Sequence, residues 1–424
     1  MCRWSSTEQT SERIGRQFRN AATIGVYILS NRRPLTLIFL TLFLDLLGVG
    51  ILIPITPYLV RQYRSDALTI GLLVLVFSVA QFLMTPVLGA LSDRYGRRPV
   101  LLVSLFGTAI GHFMFGLAPS LGFMFAARIL DGITGGNISA AQAYIADITP
   151  PEDRAKSFGL IGAAFGLGFM MGPAIGGLLS TISLQAPAFA AGGLALVTTL
   201  LSFFFLPESL PLEKRTKTPL QWSLLNPFQA IGAALGRVNL RFMLLATFAL
   251  NFAYSGLQSH FALYTLTRFG ANERQNAWLL TYLGVMITVI QGGLIRRLMP
   301  VFGEGKLIRV GLVLGGTGFV ALIFAPSVGF VYGALTLLSM GSGLAAPALQ
   351  SLVSQGAGAS EQGVVLGVTQ SLGSLSRILG PLWAGLTFDA FAPSAPYWTG
   401  CLMMAVSLFL VGLSQTRKPG PAAG

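Results

Sequence analysis

Asp45 stands in Phe43-Leu-Asp-Leu-Leu-Gly-Val-Gly50, with apolar residues running away from it in both directions. A carboxylate inside such a run is costly unless it faces a cavity or a partner. Such a group can take up and release a proton or touch a bound molecule; the plainer alternative is a structural Asp bonded to neighbouring helix groups. Arg128, Asp131, Gly135, Ser139 and Gln142 form a second set. At about 100° per residue they share one face of a helix, while Asn137 falls on the other side. Arg128 and Asp131, three residues apart, can pair with each other as a neutral structural unit, or Arg128 can tune proton release from a carboxylate such as Asp45. Arg377 stands alone in another apolar run and needs a carboxylate, carbonyls or an anionic ligand. Asn251, Tyr254, Gln258 and His260 lend one further run polar character, and some are expected to touch a bound molecule. His112 is expected to be a hydrogen-bonded structural histidine, although a histidine there can titrate near neutral pH.

Two glycine patterns accompany these residues. In Gly89-Ala-Leu-Ser-Asp93-Arg-Tyr-Gly96-Arg-Arg98, Gly96 permits a tight turn and the arginines can anchor at phosphates or helix ends. Asp93 there can cap a helix or pair with a basic residue in a contact that breaks when two parts of the molecule rock apart. A plain basic hairpin explains Arg94, Arg97 and Arg98 but not the placed glycines and Asp93. In the second pattern Gly166, Gly168, Gly172, Pro173, Gly176 and Gly177 lie in one apolar run. Close helix packing, with a bend at Pro173, is the expected role. No strand precedes these glycines and no Walker lysine follows, so they are not a nucleotide loop.

The elements that hold these residues must be membrane helices. Only 10% of the 424 residues are charged, against about a quarter in soluble proteins, so most of the surface does not face water. A crossing helix needs about 20 apolar residues. Twelve stretches qualify, at roughly 35–60, 68–91, 100–118, 121–146, 157–181, 187–206, 240–266, 275–298, 307–326, 328–354, 363–388 and 395–415. The runs are continuous rather than alternating, which excludes a β-barrel, and the fold class expected is all-α, polytopic and membrane-embedded. Cys2 and Cys401 are too far apart in sequence to suggest a disulfide framework or a CxxC metal site, and two histidines offer little for a metal centre. No GxSxG or HExxH is present, so hydrolase chemistry has no support. We expect no catalytic residue, no cofactor and no metal.

The net charge of +13 resides in short loops, which favours membrane orientation over nucleic acid as its explanation. Basic residues gather at Arg32–Arg33, Arg94–Arg98, Arg154–Lys156, Lys214–Lys217 and Arg296–Arg309, whereas the alternate loops carry only Arg61, Arg64, Arg268 and Arg274. The positive-inside rule then places both termini in the cytoplasm of a multi-pass cell-membrane protein. The expected organisation is a cytoplasmic tail at 1–33, a six-helix bundle at 34–206, a linker at 207–239, a second bundle at 240–415 and a tail at 416–424. The tail at 1–33 does not read as a cleavable signal peptide; a disordered segment is expected, with an organellar transit segment as the alternative. Gly159, Gly172, Pro173 and Gly177 recur at one offset as Gly367, Gly380, Pro381 and Gly385, with Asp153–Arg154 and Glu361–Gln362 ahead of them in register. An internal duplication with a site between the repeats is a transporter architecture.

In this order the motifs resemble the major facilitator superfamily, and within it the twelve-span drug:proton antiporters of the tetracycline-efflux-like group. Asp45-x-x-Gly48-x-Gly50-x-x-x-Pro54-x-x-Pro57 resembles that group's span-one signature. Gly89–Arg98 resembles its loop signature, and Arg128-x-x-x-Gly132 with Ala143-Tyr-Ile-Ala-Asp147 its span-four signature. Gly172-Pro173-x-x-Gly176-Gly177 resembles the antiporter signature of span five. The resemblance implies two pseudo-symmetric six-helix bundles, a central cavity and alternating access. It assigns proton coupling to Asp45, Arg128 and Asp131, and a conformational latch to Gly89, Asp93, Arg94, Gly96, Arg97 and Arg98. Gly168, Gly172, Pro173, Gly176 and Gly177 would favour export, and Gln142, Asn251, Tyr254, Gln258 and Arg377 would line the cavity.

Four departures stand out. Tetracycline carriers have an acid in span three where this chain has Gly111 followed by His112, span nine also lacks an acid, and Asp131 replaces a small residue. These argue against a tetracycline–metal chelate as cargo. In the second half Arg297 stands where the first half has Asp93, so a latch would be one-sided. The expected function is proton-coupled export of small lipophilic or cationic compounds. The alternatives are an importer or facilitator of a small, anionic metabolite and a non-transporting membrane receptor or scaffold. The partners expected are a small-molecule substrate, protons and the lipid bilayer, with no nucleic acid, and the protein is expected to be a monomer.

Overall fold

The structure is a computed structural model that describes residues 34–64, 66–150, 154–215, 231–232, 235–236, 238–355 and 362–416. The expectations for 1–33 and for the end of the C-terminal tail lie outside the described residues. Each of the twelve apolar stretches is helical, and among the described residues there is no strand. The first chain half contributes α1 (Pro34–Leu52), α2 (Thr56–Arg61), α3 (Ala67–Tyr95), α4 (Arg97–Gly116), α5 (Leu121–Thr134), α6 (Asn137–Ile148), α7 (Arg154–Leu179) and α8 (Ala186–Phe205). The second contributes α9 (Val238–Phe269), α10 (Glu273–Val289), α11 (Ile295–Ile323), α12 (Val328–Gln355), α13 (Gln362–Ala390) and α14 (Ala395–Thr416). Among the described residues, eight helices are by themselves long and apolar enough to cross a membrane.

Several expected spans are not single straight helices. The first breaks between Leu52 and Thr56, where Pro54 sits in the turn and Pro57 opens α2, a position at which its missing N–H is not needed. The fourth breaks at Gly135 and Gly136, whose ψ values of 6° and 14° interrupt the helix and re-aim α6 relative to α5. The expected eighth span contains a π-helical stretch at Ile290–Leu294, and helix continues from it through most of the expected loop as the start of α11, which is broken by a kink at Gly303. Side-chain caps start three helices: Asp66 accepts the Thr69 amide, Ser120 that of Phe123, and Asn272 forms a reciprocal box with Gln275.

The buried hydrophobic residues form clusters drawn almost wholly from one chain half each. Leu263 of α9 is the buried residue that joins a cluster of the first half. The sequence repeat reappears as a repeated packing scheme. Gly172 of α7 lies against Gly50 and Ile51 of α1; Gly380 of α13 lies against Phe252, Ser255 and Gly256 of α9. At Gly172 a Cβ would come within 2.6 Å of the Gly50 backbone, so any side chain there would push α7 off α1. One turn and a half further on, Gly177 meets Ala277 of α10 and Gly385 meets Leu68 of α3, so each repeat helix also reaches across to the other half.

Among the described residues, every hydrogen bond joining the two halves lies at the end that carries Arg61, Arg64, Arg268 and Arg274. Tyr58 donates to the Ala271 carbonyl at 2.8 Å and accepts from the Asn276 amide. Asp389 accepts the Ala67 and Leu68 amides at 3.0 and 2.8 Å, at the start of α3. His260 Nε2 donates to the Ala67 carbonyl at 3.0 Å, which leaves Nδ1 to accept from the Ser259 hydroxyl at 2.8 Å. At the opposite, arginine-rich end no hydrogen bond or ion pair between the halves is found among the described residues.

Candidate functional site: a buried carboxylate, arginine and histidine cluster

Four helices of the first half converge on the expected ionisable residues. Asp45 is 8% exposed on α1, and its Oδ2 accepts the Asn137 amide at 2.9 Å while Oδ1 has no partner. Asn137 was not expected there, because a continuous helix carries it away from the polar stripe. The break at Gly135–Gly136 starts α6 on a new register, and Asn137, its first residue, reaches α1. The glycine pair is the sequence signal for that break.

Arg128 and Asp131 do pair, at 3.2 Å, within α5. The guanidinium also lies 4.5 Å from the Phe115 ring centre and 5.8 Å from that of Phe77, an aromatic cradle for a cation away from water. His112 is fully buried, and its Nε2 stands 3.6 Å from the Asp131 carboxylate. Asp131 also bears on the absent acid of span three. A Cβ at Gly111 would lie 2.9 Å from the Asp131 Cβ, so α5 at Asp131 occupies the space beside α4 that a side chain at 111 would take. Asp45 is within electrostatic reach of both Asp131 and His112. Two carboxylates and one guanidinium leave this buried cluster with one net negative charge while His112 is neutral. Burying an unbalanced charge is expensive, so binding one proton relieves the cluster.

At the arginine-rich end, the expected latch residues engage their own half. Arg97 is buried and donates to Asp93 at 2.5 Å, to Asp147 at 3.1 Å and to the Ser92 hydroxyl at 2.7 Å. Asp147 closes the Ala143–Asp147 motif, so two sequence signatures meet in one ion cluster. Glu208, not singled out in the sequence, accepts the Arg97 and Arg98 amides at 2.9 and 3.3 Å and faces Arg215 at 3.6 Å. Gly96 adopts φ 108°, which side chains avoid, and a Cβ there would be 2.3 Å from Glu208. Arg94 lies over the Tyr95 ring, and Arg98 donates to the Phe203 carbonyl and lies over that ring. Gly89 faces Ser139 of α6.

The cavity residues separate. Gln142 and Gln258 are exposed, and Asn251 is half-buried with its amide on the Thr247 carbonyl at 2.8 Å. Tyr254 is turned into the second half, where its hydroxyl donates to the Leu338 carbonyl at 2.6 Å and its ring packs on Phe319. His260 serves the contact between halves described above. Arg377 is exposed on α13 and donates to Ser374 at 3.0 Å, with no carboxylate partner among the described residues. It stands one and two turns before Pro381 and Gly385, which meet α3, and on the far side of the helix from the exposed Leu379 and Leu386. That is the helix side on which Pro381 and Gly385 meet α3. In the glycine-proline segment, Gly168 and Gly176 pack on the α1 backbone beside Gly172, and Pro173 lies within α7.

A helical bundle has no structural need of two carboxylates, a guanidinium and an imidazole inside one membrane-embedded half, but a carrier that moves charge does. These features define a polytopic membrane transporter. The chain belongs to the major facilitator superfamily, whose family model matches residues 38–381. It is 35% identical to the tetracycline resistance protein, class C, of Escherichia coli, over 92% of this chain and 98% of that protein. It is 28% identical to multidrug resistance protein 2 of Bacillus subtilis, over 95% and 97% respectively. Among solved structures, the human organic anion transporter MFSD10 (TETRAN) is similar with a TM-score of 0.69 at 31% identity, covering 90% of this chain and 99% of that one. The chain is a drug-efflux-type transporter of this superfamily, not an enzyme.

Proposed function

We propose that the protein exports small lipophilic or cationic compounds in exchange for protons, with Asp45 as the principal proton carrier. One observation carries this reading: Asp45 is buried with Asn137 as its only hydrogen-bond partner among the described residues, beside an Arg128–Asp131 pair that leaves the cluster one proton short of neutrality. Coupling requires that proton and cargo favour different states of the carrier. Arg128 and Asp131 set how readily the proton leaves. Twelve spans in two bundles rock about the cleft, with both termini cytoplasmic and the carrier acting as a monomer. Gln142, Asn251, Gln258 and Arg377 contact cargo between the halves. The Asp93–Arg97–Asp147 cluster rearranges as the arginine-rich end opens and closes, and the Gly168–Gly177 segment keeps α7 close to α1 during export.

Arg377 favours a second reading. A cation on the side of α13 that meets α3, with no carboxylate partner among the described residues, suits an anionic cargo, and one similar structure is that of an organic anion transporter. That reading is import or facilitated passage of an anionic metabolite. Inside-out vesicles separate the two. Export predicts uptake of dyes or antibiotics driven by an acid-inside gradient; the second reading predicts no such uptake and instead transport of an organic anion that Arg377→Gln abolishes. A receptor or scaffold would show neither.

A further inference from the structure

Of the twelve buried side-chain polar atoms without a hydrogen bond among the described residues, eight lie together in the first half, and the others are spread over Asp66, Arg98, Thr149 and Tyr397. Asp45 Oδ1, Asn137 Oδ1, both nitrogens of His112, Arg128 Nε and the Ser104 hydroxyl make no hydrogen bond, and Asp131 Oδ2 and a terminal nitrogen of Arg128 meet only as an ion pair; all belong to α1, α4, α5 and α6. Buried polar groups are normally satisfied, so such a concentration inside one membrane-embedded half points to function. His112 occupies its middle. Its Nε2 faces Asp131 at 3.6 Å, and its Cε1 lies 3.5 Å from where a Cβ would stand on Gly48, one turn of α1 beyond Asp45.

We propose that His112 is a second proton-binding residue, which with Asp131 forms a relay to Asp45. It rests on the reading of Asp45 as proton carrier. The proton leaves the Asp45 carboxyl, adds to the His112 ring through bridging water, and the Nε2 proton passes to Asp131 Oδ2. No electron is transferred, and the cluster charge is unchanged between the three placements. A neutral imidazole suits this, since one nitrogen accepts while the other donates. The ionisable groups within reach of His112 are Asp45 from α1 and Asp131 from α5, the latter paired with Arg128; α8 holds no ionisable side chain, and those of α3 stand at its far end, from Asp93 to Tyr95. Arg128 holds Asp131 as the ionised acceptor until the proton arrives.

The test uses full-length protein in proteoliposomes with a transported dye. His112→Gln should lower the ratio of proton-driven uptake to dye self-exchange by about tenfold or more and flatten its pH dependence. Asp131→Asn should do likewise, and the double variant should be no worse than either alone, since the pair acts as one unit. If His112→Gln is not monodisperse, Asp131→Asn and His112→Asn test the same pair. A wild-type ratio and pH profile in the His112 variants, with Asp45→Asn uncoupled, would overturn the relay alone. Wild-type coupling in Asp45→Asn would overturn the parent reading.

Discussion

Asn137 begins α6 and gives its side-chain amide to Asp45 of α1 at 2.9 Å, which ties the helix break at Gly135–Gly136 to the one carboxylate of the first span. This bond holds the ionised form of Asp45. A hydrogen bond to a charged group contributes about 1.5–3 kcal/mol, so Asn137→Ala should change proton affinity at Asp45 by about tenfold or more. Without the donor the carboxylate is less favoured and release of the proton becomes harder. The pH optimum of proton-driven dye uptake should move to higher pH. An unmoved optimum would show that the bond is structural.

The end of the molecule closed by Asp389, His260 and Tyr58 should open more often when those contacts are removed. Asp389 places a carboxylate on two amides at the start of α3, where the helix dipole adds to the attraction. Asp389→Ala should shift the open-to-closed ratio by about tenfold, the equivalent of one charge-assisted bond. Spin labels on Tyr63→Cys and Phe391→Cys, both exposed at that end, report the shift as a longer distance population. Unchanged distance distributions would remove this contact from the gating mechanism.

Gly96 combines φ 108° with a near approach to Glu208. Gly96→Ala must strain the backbone or displace Glu208 from the Arg97 and Arg98 amides, at a cost of about 1–3 kcal/mol. The expected result is a lower thermal midpoint in detergent, and a smaller loss for Gly89→Ala, where the nearest atom is 3.6 Å away.

Asp66 caps α3 through the Thr69 amide and hydroxyl at 2.9 and 2.6 Å and pairs with Arg64 at 2.7 Å. Burial pushes its carboxyl up, but the Thr69 hydrogen bonds and Arg64 outweigh that and hold it below the usual range. The cap therefore contributes fully above the ordinary carboxylate range and is lost as pH falls through the lowered value. Asp66→Ala should destabilise by about 1 kcal/mol at neutral pH and by less in strong acid. An equal loss at both pH values would contradict this assignment.

The fold was legible in the sequence because membrane burial leaves a strong signal: long apolar runs, sparse charge and loops that alternate in arginine content. The repeat of Gly172-Pro173 at Gly380-Pro381 was also legible, and the structure gives it a physical reason in the matched packing of α7 on α1 and α13 on α9. What escaped depended on where a helix breaks. Asn137 was set apart from the site by assuming one continuous helix across Gly135–Gly136. Glu208 and Asp389 act on backbone amides of distant helices, and no local spacing announces such partners. The Arg128–Asp131 pair was foreseen from its i,i+3 spacing, whereas the approach of His112 to Asp131 follows from the packing of α4 on α5. Tyr254 lies on the same helix as Asn251 and Gln258, yet its ring packs on Phe319 inside the second half.

The most direct test of Asp45 as the proton carrier is proton release on cargo binding, followed with a pH-indicator dye in weakly buffered solution. Purified protein is mixed with the best-transported compound from the vesicle panel. Wild-type protein should release about one proton per bound molecule, the count set by the cluster's single net charge, and Asp45→Asn should bind cargo with no release. Equal release from Asp45→Asn, or none from the wild type, would contradict proton-coupled exchange through this residue.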